Sequence, residues 1–134
     1  MFNKNPHLKY RPLWLFVAYS LVAYVIYSSL TSSPVHVDVN YFDKYAHTFG
    51  YFVLMGWFMQ LYHSRKGVFL CAVSLILMGV SLEFLQELTG YRFFDIYDMM
   101  ANTAGVLLAW MLVKTPFPYI LYYFETKFLS FQNM

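Results

Sequence analysis

Four long apolar stretches alternate with short polar segments along the chain. They predict helices over about 13–30, 45–62, 68–88 and 98–113. A helix rises about 1.5 Å per residue and needs roughly 20 residues to cross a hydrocarbon core of about 30 Å. The third stretch reaches that length, the first two approach it, and the fourth is shorter. The pattern predicts an all-α membrane protein built as a bundle of four transmembrane helices.

A fifth segment follows the fourth stretch and differs from it in pattern. Pro116 ends the preceding helix, because proline lacks the backbone N–H that a helix interior requires. Over about 117–131, aromatic side chains alternate with polar and charged ones, among them Glu125 and Lys127. Such a pattern is typical of an amphipathic segment that lies along a membrane surface. We therefore expect the 134 residues to form one transmembrane domain with an interfacial C-terminal segment.

Composition agrees with a membrane location. Hydrophobic residues make up 60% of the chain and charged residues 12%, whereas a soluble domain averages about 25% charged residues. Too few polar side chains remain to cover a water-facing surface. The basic residues are scattered, which argues against a nucleic-acid partner. The single cysteine, Cys71, excludes an internal disulfide, and no cofactor is expected.

Basic residues predict the orientation of the helices, because short cytoplasmic loops are enriched in lysine and arginine. The first apolar stretch exceeds the usual signal-peptide core of about 7–15 residues and lacks a following A-x-A site, so we expect an uncleaved helix. The segments expected on the cytoplasmic side carry Lys4, Lys9, Arg11, Arg65, Lys66, Lys114 and Lys127. The other two connections offer only Lys44 and Arg92, among several aspartates. Both termini are therefore predicted to be cytoplasmic.

Polar residues collect at the opposite, extracytoplasmic ends of three predicted helices. An ionisable group at the centre of a membrane helix costs roughly 2.5–3.5 kcal/mol, so a group of them predicts a site. Spacings of three or four residues place the members of each helix on one face. The predicted pocket consists of Asp43, His47, Glu83, Gln86, Arg92, Asp98 and Asn102. Lys44, Glu87 and Asp95 are expected to face water instead.

A glycine lies near each of the polar groups on these helices, at Gly50, Gly79 and Gly105. Small residues allow membrane helices to approach each other closely. We therefore expect the second, third and fourth helices to meet at the glycines and to bring their polar ends into one shared pocket.

One function that fits the pocket is binding without reaction, with a lipid head group or a cell-wall precursor as the ligand. Lys44 and Arg92 would then pair with a phosphate or carboxylate group. Glu83, Gln86 and Asn102 would orient hydroxyl groups. Lipid tails would lie between the aromatic helices.

A second function is a membrane-embedded hydrolase or transferase that acts on a lipid-linked substrate. Its catalytic candidates are His47, Glu83 and Asp98, with His47 as a general base oriented by Asp43 or Glu83. The three candidates could also hold a divalent metal. The sequence around them lacks the short H-x-x-x-H or E-x-x-H spacing of many metal sites, so no metal is predicted. A third possibility is structural, with the polar residues joining the helices and binding no ligand.

The polar residues resemble, in order and spacing, the VanZ-like family of small bacterial membrane proteins. The resemblance covers about residues 41–112 and rests on Asp43-Lys44-x-x-His47, Glu83-x-x-Gln86 and Arg92-x-x-x-x-x-Asp98-x-x-x-Asn102-x-x-Gly105. The bulky pair Phe93 and Phe94 departs from the family, which often has a smaller or polar residue before the aspartate.

The resemblance implies a multi-pass protein of the bacterial cytoplasmic membrane. The family's namesake is associated with low-level resistance to the glycopeptide teicoplanin, although no reaction is known to explain that resistance. The partners implied are membrane lipids and, beyond them, a lipid-linked cell-wall precursor or a lipoglycopeptide.

Overall fold

The computed structural model describes residues 6–32 and 42–129, and every regular element in this part of the chain is helical. Its α-helices are α1 (Arg11–Leu30), α2 (Phe42–Leu61), α3 (Arg65–Leu88), α4 (Ile96–Trp110) and the short α5 (Ile120–Phe124). Two 3₁₀ turns, Met111–Lys114 and Phe117–Tyr119, join α4 to α5, and a π turn follows over Glu125–Leu129. The all-α prediction is confirmed. Most of the predicted connection over 31–41 and the last residues of the predicted tail lie outside the described residues.

Side-chain caps explain why α3 and α4 begin earlier than predicted. Ser64 accepts a hydrogen bond from the backbone N–H of Gly67 (3.0 Å), which starts α3 three residues before the predicted position. Asp95 accepts one from the N–H of Tyr97 (2.8 Å), which starts α4 two residues early. After Trp110 the chain tightens into a 3₁₀ turn, so α4 also ends sooner than predicted.

Two of the described helices, α1 and α3, are long and apolar enough to cross a membrane. They have 20 and 24 residues, with mean hydropathies of 1.8 and 2.4. With its 15 residues α4 is only about 22 Å long, less than a hydrocarbon core of about 30 Å. Length and composition therefore support a membrane location through α1 and α3, and the four-span topology and its orientation stay predictions.

Two glycines permit close contacts between α2, α3 and α4, as expected. A Cβ atom at Gly105 of α4 would overlap the backbone carbonyl of Thr48 on α2. A Cβ atom at Gly79 of α3 would lie 3.1 Å from the side chain of Asn102 on α4. The expectation for Gly50 is wrong, because nothing lies within 4 Å of the position of its Cβ. Close packing of α2 against α4 therefore depends on Gly105.

Helix α1 packs more loosely and is held by polar contacts near its ends. Ala18 is its one buried residue. Near its C-terminus, Gln86 donates a hydrogen bond to the carbonyl of Ser29 (2.7 Å), and Arg92 donates one to the carbonyl of Ser28 (3.1 Å). The last carbonyls of a helix have no partner within the helix, so these side chains satisfy groups that would otherwise be orphaned.

The C-terminal segment folds back on the bundle. It differs from the predicted amphipathic segment in the position of Glu125. Glu125 is only 4% exposed and does not face water. It accepts hydrogen bonds from the backbone N–H groups of Lys9 (2.7 Å) and Tyr10 (3.0 Å), at the start of α1. Gln60 ties the segment to α2, since it donates to the carbonyl of Phe117 (2.7 Å).

Candidate functional site

Lys44 forms the outer layer of a polar cluster where α2 and α4 begin. Its ammonium group contacts carboxylate oxygens of Asp43 (2.7 Å), Asp95 (2.7 Å) and Asp98 (2.5 Å). An ammonium group has three donors, so each carboxylate takes one. Lys44 and Asp95 were expected to face water, and their side chains are 23% and 36% exposed, but they also form the ion pair that joins α2 to the start of α4. The close contact at Gly105 places the first turns of α2 and α4 side by side, and the two residues meet there.

Asp95 joins three helices at this end of the bundle. Its side chain caps α4 and binds Lys44 of α2, and its backbone N–H donates to the carboxylate of Glu83 on α3 (3.2 Å). The hydrogen bond from Lys44 is the largest influence on Asp95 and holds the pKa of its carboxyl below the usual value. The negative form of Asp95 is therefore the one that the surroundings stabilise.

His47 lies one helical turn from Asp43 and is oriented by Asn102. Its Nδ1 is 2.7 Å from the amide oxygen of Asn102, and its Nε2 is 3.7 Å from an oxygen of Asp98. An amide oxygen only accepts hydrogen bonds, so Nδ1 carries the proton. In the neutral ring, Nε2 then has a free lone pair directed toward the carboxylates.

Glu83 forms the floor of the cluster and has few hydrogen-bond partners. It is 1% exposed, and among the described residues it accepts a single hydrogen bond, from the N–H of Asp95. One ligand atom each of His47, Glu83 and Asp98 lie within 4.8 Å of one another. Nearby, the hydroxyl of Tyr51 is buried without a hydrogen-bond partner among the described residues. The cluster thus combines a buried carboxylate that accepts one hydrogen bond with a buried phenol that has no partner among the described residues.

The structure brings together five of the seven pocket residues predicted from the sequence. They are Asp43, His47, Glu83, Asp98 and Asn102. The side chains of the other two, Gln86 and Arg92, instead donate hydrogen bonds to carbonyls at the end of α1. Glu87 is exposed, as expected. We call the assembled group the His47 site, and it consists of Asp43, Lys44, His47, Glu83, Asp95, Asp98 and Asn102.

Sequence reasoning assigned Lys44 and Asp95 to the solvent rather than to the pocket, and it did not single out Tyr51. A signal for the first two was present, since a single lysine and three aspartates fall at the same predicted end of the helices. A signal for Tyr51 was also present, because it follows His47 by four residues and so shares its helix face.

The His47 site carries more negative than positive charge. Four carboxylates meet there, and within the described residues Lys44 is the one lysine or arginine that forms an ion pair with any of them. Its three donors are all engaged. Such a site attracts cations and hydrogen-bond donors and repels a bare phosphate group.

An apolar groove lies apart from the His47 site, among α1, α2 and α3. Its volume is about 390 Å³. Its walls include Tyr19 of α1, Phe58 of α2 and Leu75 of α3, and it extends to Met78. Because Met78 precedes Glu83 by five residues, the groove begins little more than one helical turn below the site. The chemistry of its walls suits a hydrocarbon chain.

Comparison with known proteins agrees with the pattern of site residues. The sequence profile described as VanZ/LLP1 matches residues 3–122, which is most of the chain. The chain belongs to the VanZ/LLP1 family. The resemblance drawn from the motif residues is thereby confirmed.

One curated protein similar to this VanZ/LLP1 chain is described as an uncharacterized protein of Schizosaccharomyces pombe. The two are 32% identical over 100 residues, which is 72% of this chain and 60% of the yeast protein. The chain therefore spans less than two thirds of the length of that relative. No solved structure matches the chain.

Proposed function

We propose that this VanZ/LLP1 protein binds the head group of a membrane lipid at the His47 site. The observation that supports the proposal best is the buried polar cluster itself, where Glu83 and Asn102 are 1% and 2% exposed at one end of an apolar bundle. The groove below the site offers space for the acyl chain of the same lipid. Buried polar groups at membrane depth are expensive and typically mark a functional site.

The geometry changes how the head group is expected to bind. Lys44 has no donor left for a phosphate, and Arg92 donates a hydrogen bond to a carbonyl at the end of α1. The acceptors of the site favour a positively charged or donor-rich part of the head group, or a phosphate accompanied by a cation. This replaces the direct lysine–phosphate pairing expected from the sequence.

A membrane phospholipid is favoured over a cell-wall precursor as the ligand. One relative comes from a yeast, an organism that makes no bacterial cell wall. A role in teicoplanin resistance and binding of a lipoglycopeptide remain expectations of the family resemblance.

The proposal places the protein in a bacterial cytoplasmic membrane, as a multi-pass chain with the His47 site on the extracytoplasmic side. The distribution of basic residues supports this orientation. A phosphatase fused after Ser33 should be active and one fused after Lys66 inactive. The reverse pattern would place the site on the cytoplasmic side.

Lipid binding is tested by purifying the protein in mild detergent and measuring the copurified lipid by mass spectrometry. The native chain should retain one lipid class, and Glu83→Gln should lose it. Glu87→Gln is the matched control, because Glu87 lies on the same helix and is exposed. Equal lipid in all three proteins would contradict the proposal. Failure of Glu83→Gln to fold would favour a purely structural role for the cluster.

A second candidate function is a hydrolase or transferase acting on a lipid-linked substrate. The observation that favours it is the 2.7 Å contact between His47 Nδ1 and the amide oxygen of Asn102, because an imidazole oriented through Nδ1 presents Nε2 for general base catalysis. Release of phosphate from a lipid-linked pyrophosphate by the native chain, and loss of that release in His47→Gln, would establish an enzyme. Lipid binding without turnover would leave the binding function.

A further inference from the structure

We propose that His47, Glu83 and Asp98 bind one divalent metal ion. The ligand atoms of the three side chains already lie within 4.8 Å of one another. Two ligands at about 2.1 Å from a shared ion are at most about 4.2 Å apart. The widest separation must therefore close by at most about 0.6 Å, which small side-chain rotations can provide.

The orientation of His47 is that of a metal ligand. Its Nδ1–H is held by the amide oxygen of Asn102 at 2.7 Å, which leaves Nε2 to face Asp98 and Glu83. Metal-binding histidines commonly donate their second ring N–H to a carbonyl or carboxylate oxygen in this way. Asn102 is thus a positioning residue, which fixes the ring and does not itself contact the ion.

The charge balance of the site independently indicates a cation. Glu83 is 1% exposed, and the ion pairs of Lys44 do not include it. A carboxylate can accept about four hydrogen bonds, and Glu83 accepts one. A buried carboxylate with so few partners is costly unless it takes up a proton or a positive charge compensates it. An ion between Glu83, Asp98 and His47 would supply that charge.

Tyr51 gives a second sign that something binds below His47. The side chain is 2% exposed, its hydroxyl has no partner among the described residues, and it is close enough to Glu83 to interact with its charge. A buried hydroxyl without a partner is uncommon. A water molecule bound to the ion would provide one.

A neighbouring acidic group is a poorer metal site. Asp43, Asp95 and Asp98 also lie close together, but Lys44 already binds one oxygen of each, and Asp43 is 61% exposed at its side chain. The inner group of one imidazole and two carboxylates is therefore the one that an ion would occupy.

The ligand set favours zinc or manganese over calcium and magnesium. An imidazole nitrogen is a good ligand for the transition metals, whereas calcium and magnesium prefer oxygen ligands throughout. Three protein ligands leave a coordination position open. If the proposed lipid function holds, that position would accept a phosphate oxygen, and this last step rests on the proposed function. Metal binding itself does not.

The test is titration of the full chain, purified in detergent and stripped with a chelator, with Zn²⁺ by calorimetry. We expect one ion per chain, and an affinity at least about tenfold lower in His47→Gln and in Asn102→Ala. His63→Gln is the control, because His63 lies outside the site and should leave the affinity unchanged. The inference is overturned if the native chain binds no ion, or if His47→Gln binds as tightly as the native chain.

A second measurement separates this inference from the proposed function. Lipid retention is compared with and without Zn²⁺. Zinc binding with no retained lipid would support the metal site and contradict the lipid function. Retained lipid that depends on Glu83 but not on zinc would overturn the metal site, and an ammonium head group would then be the occupant. The Asn102→Ala variant keeps all three ligands, so the test does not depend on the folding of a ligand variant.

Discussion

Each end of the bundle buries a glutamate, and the two glutamates differ in the number of hydrogen bonds that they accept. At the Glu125 end, the carboxylate accepts at least three hydrogen bonds, from the backbone of Lys9 and Tyr10 and the indole of Trp14. At the other end, Glu83 is even less exposed but accepts only one. A buried charge with a full set of donors is a structural contact, whereas one with few donors is a candidate for binding a ligand.

The largest expected effect concerns Gly105, where α4 contacts α2 and so assembles the His47 site. In Gly105→Ala the new methyl group would overlap the backbone carbonyl of Thr48, so α2 and α4 must separate. We expect a loss of up to about 3 kcal/mol in unfolding free energy, measured in detergent, together with loss of zinc binding.

The control for this prediction is Gly50→Ala. Nothing lies within 4 Å of the Cβ position at Gly50, so the methyl group fits and improves helix propensity by up to about 1 kcal/mol. Equal destabilisation by the two variants would show that the α2–α4 contact does not depend on Gly105.

The second prediction applies the same substitution to the two buried glutamates. Glu125→Gln replaces an acceptor oxygen with an NH₂ group that faces N–H donors, and we expect a loss of about 2 kcal/mol. Glu83→Gln removes a poorly compensated charge. In the presence of a chelator it should change the unfolding free energy by less than about 1 kcal/mol. If Glu83→Gln destabilises the stripped protein as much as Glu125→Gln, the distinction between the two ends fails.

Much of the His47 site followed from the sequence, because it depends on helix spacing and on which ends of the helices are polar. These two properties brought His47, Glu83, Asp98 and Asn102 together in the prediction, and the structure brings them together as well. The role of Lys44 did not follow. Its contacts depend on the register between α2 and α4, which a periodic pattern does not encode.

Two predictions failed for a related reason: the assignment of Gln86 to the pocket and the placement of Glu125 in a water-facing segment. Gln86 shares a polar spacing with Glu83, but spacing does not tell which neighbouring helix a side chain reaches. The last carbonyls of α1 have no partner within the helix, and they bind the side-chain donors that the sequence had assigned to the pocket. Glu125 contacts a residue that precedes it by 115 positions, Tyr10, and such distant pairing leaves no local trace in the sequence.

The third prediction separates the end of α1 from the His47 site. In Gln86→Leu the carbonyl of Ser29 loses its donor, and we expect a destabilisation of about 1 kcal/mol. Zinc affinity should stay unchanged. Among the described residues, the side chain of Gln86 forms no hydrogen bond with any of the three proposed ligands. A drop in zinc affinity as large as that of His47→Gln would show that Gln86 belongs to the site, as the sequence pattern predicted.

The smallest expected effect is a pH dependence at the Glu125 end, where His63 lies near the C-terminal segment. Burial is the largest influence on His63 and lowers the pKa of its imidazole, and the positive charge of Arg11 lowers it further. The hydrogen bond of Nε2 with the carbonyl of Pro118 (2.9 Å) opposes the shift but does not cancel it.

Because the folded state disfavours the protonated ring, the unfolded chain binds more protons between the folded pKa and the unfolded value of about 6.5. The stability contributed by neutral His63 is thus present above about pH 6.5 and is lost as the pH falls through the folded pKa. We expect a loss below about 1 kcal/mol between pH 7.5 and 5.5, measured by thermal unfolding in detergent. His63→Gln should show a smaller loss over the same interval. If the native chain and His63→Gln lose stability equally, the acid sensitivity arises at groups other than His63.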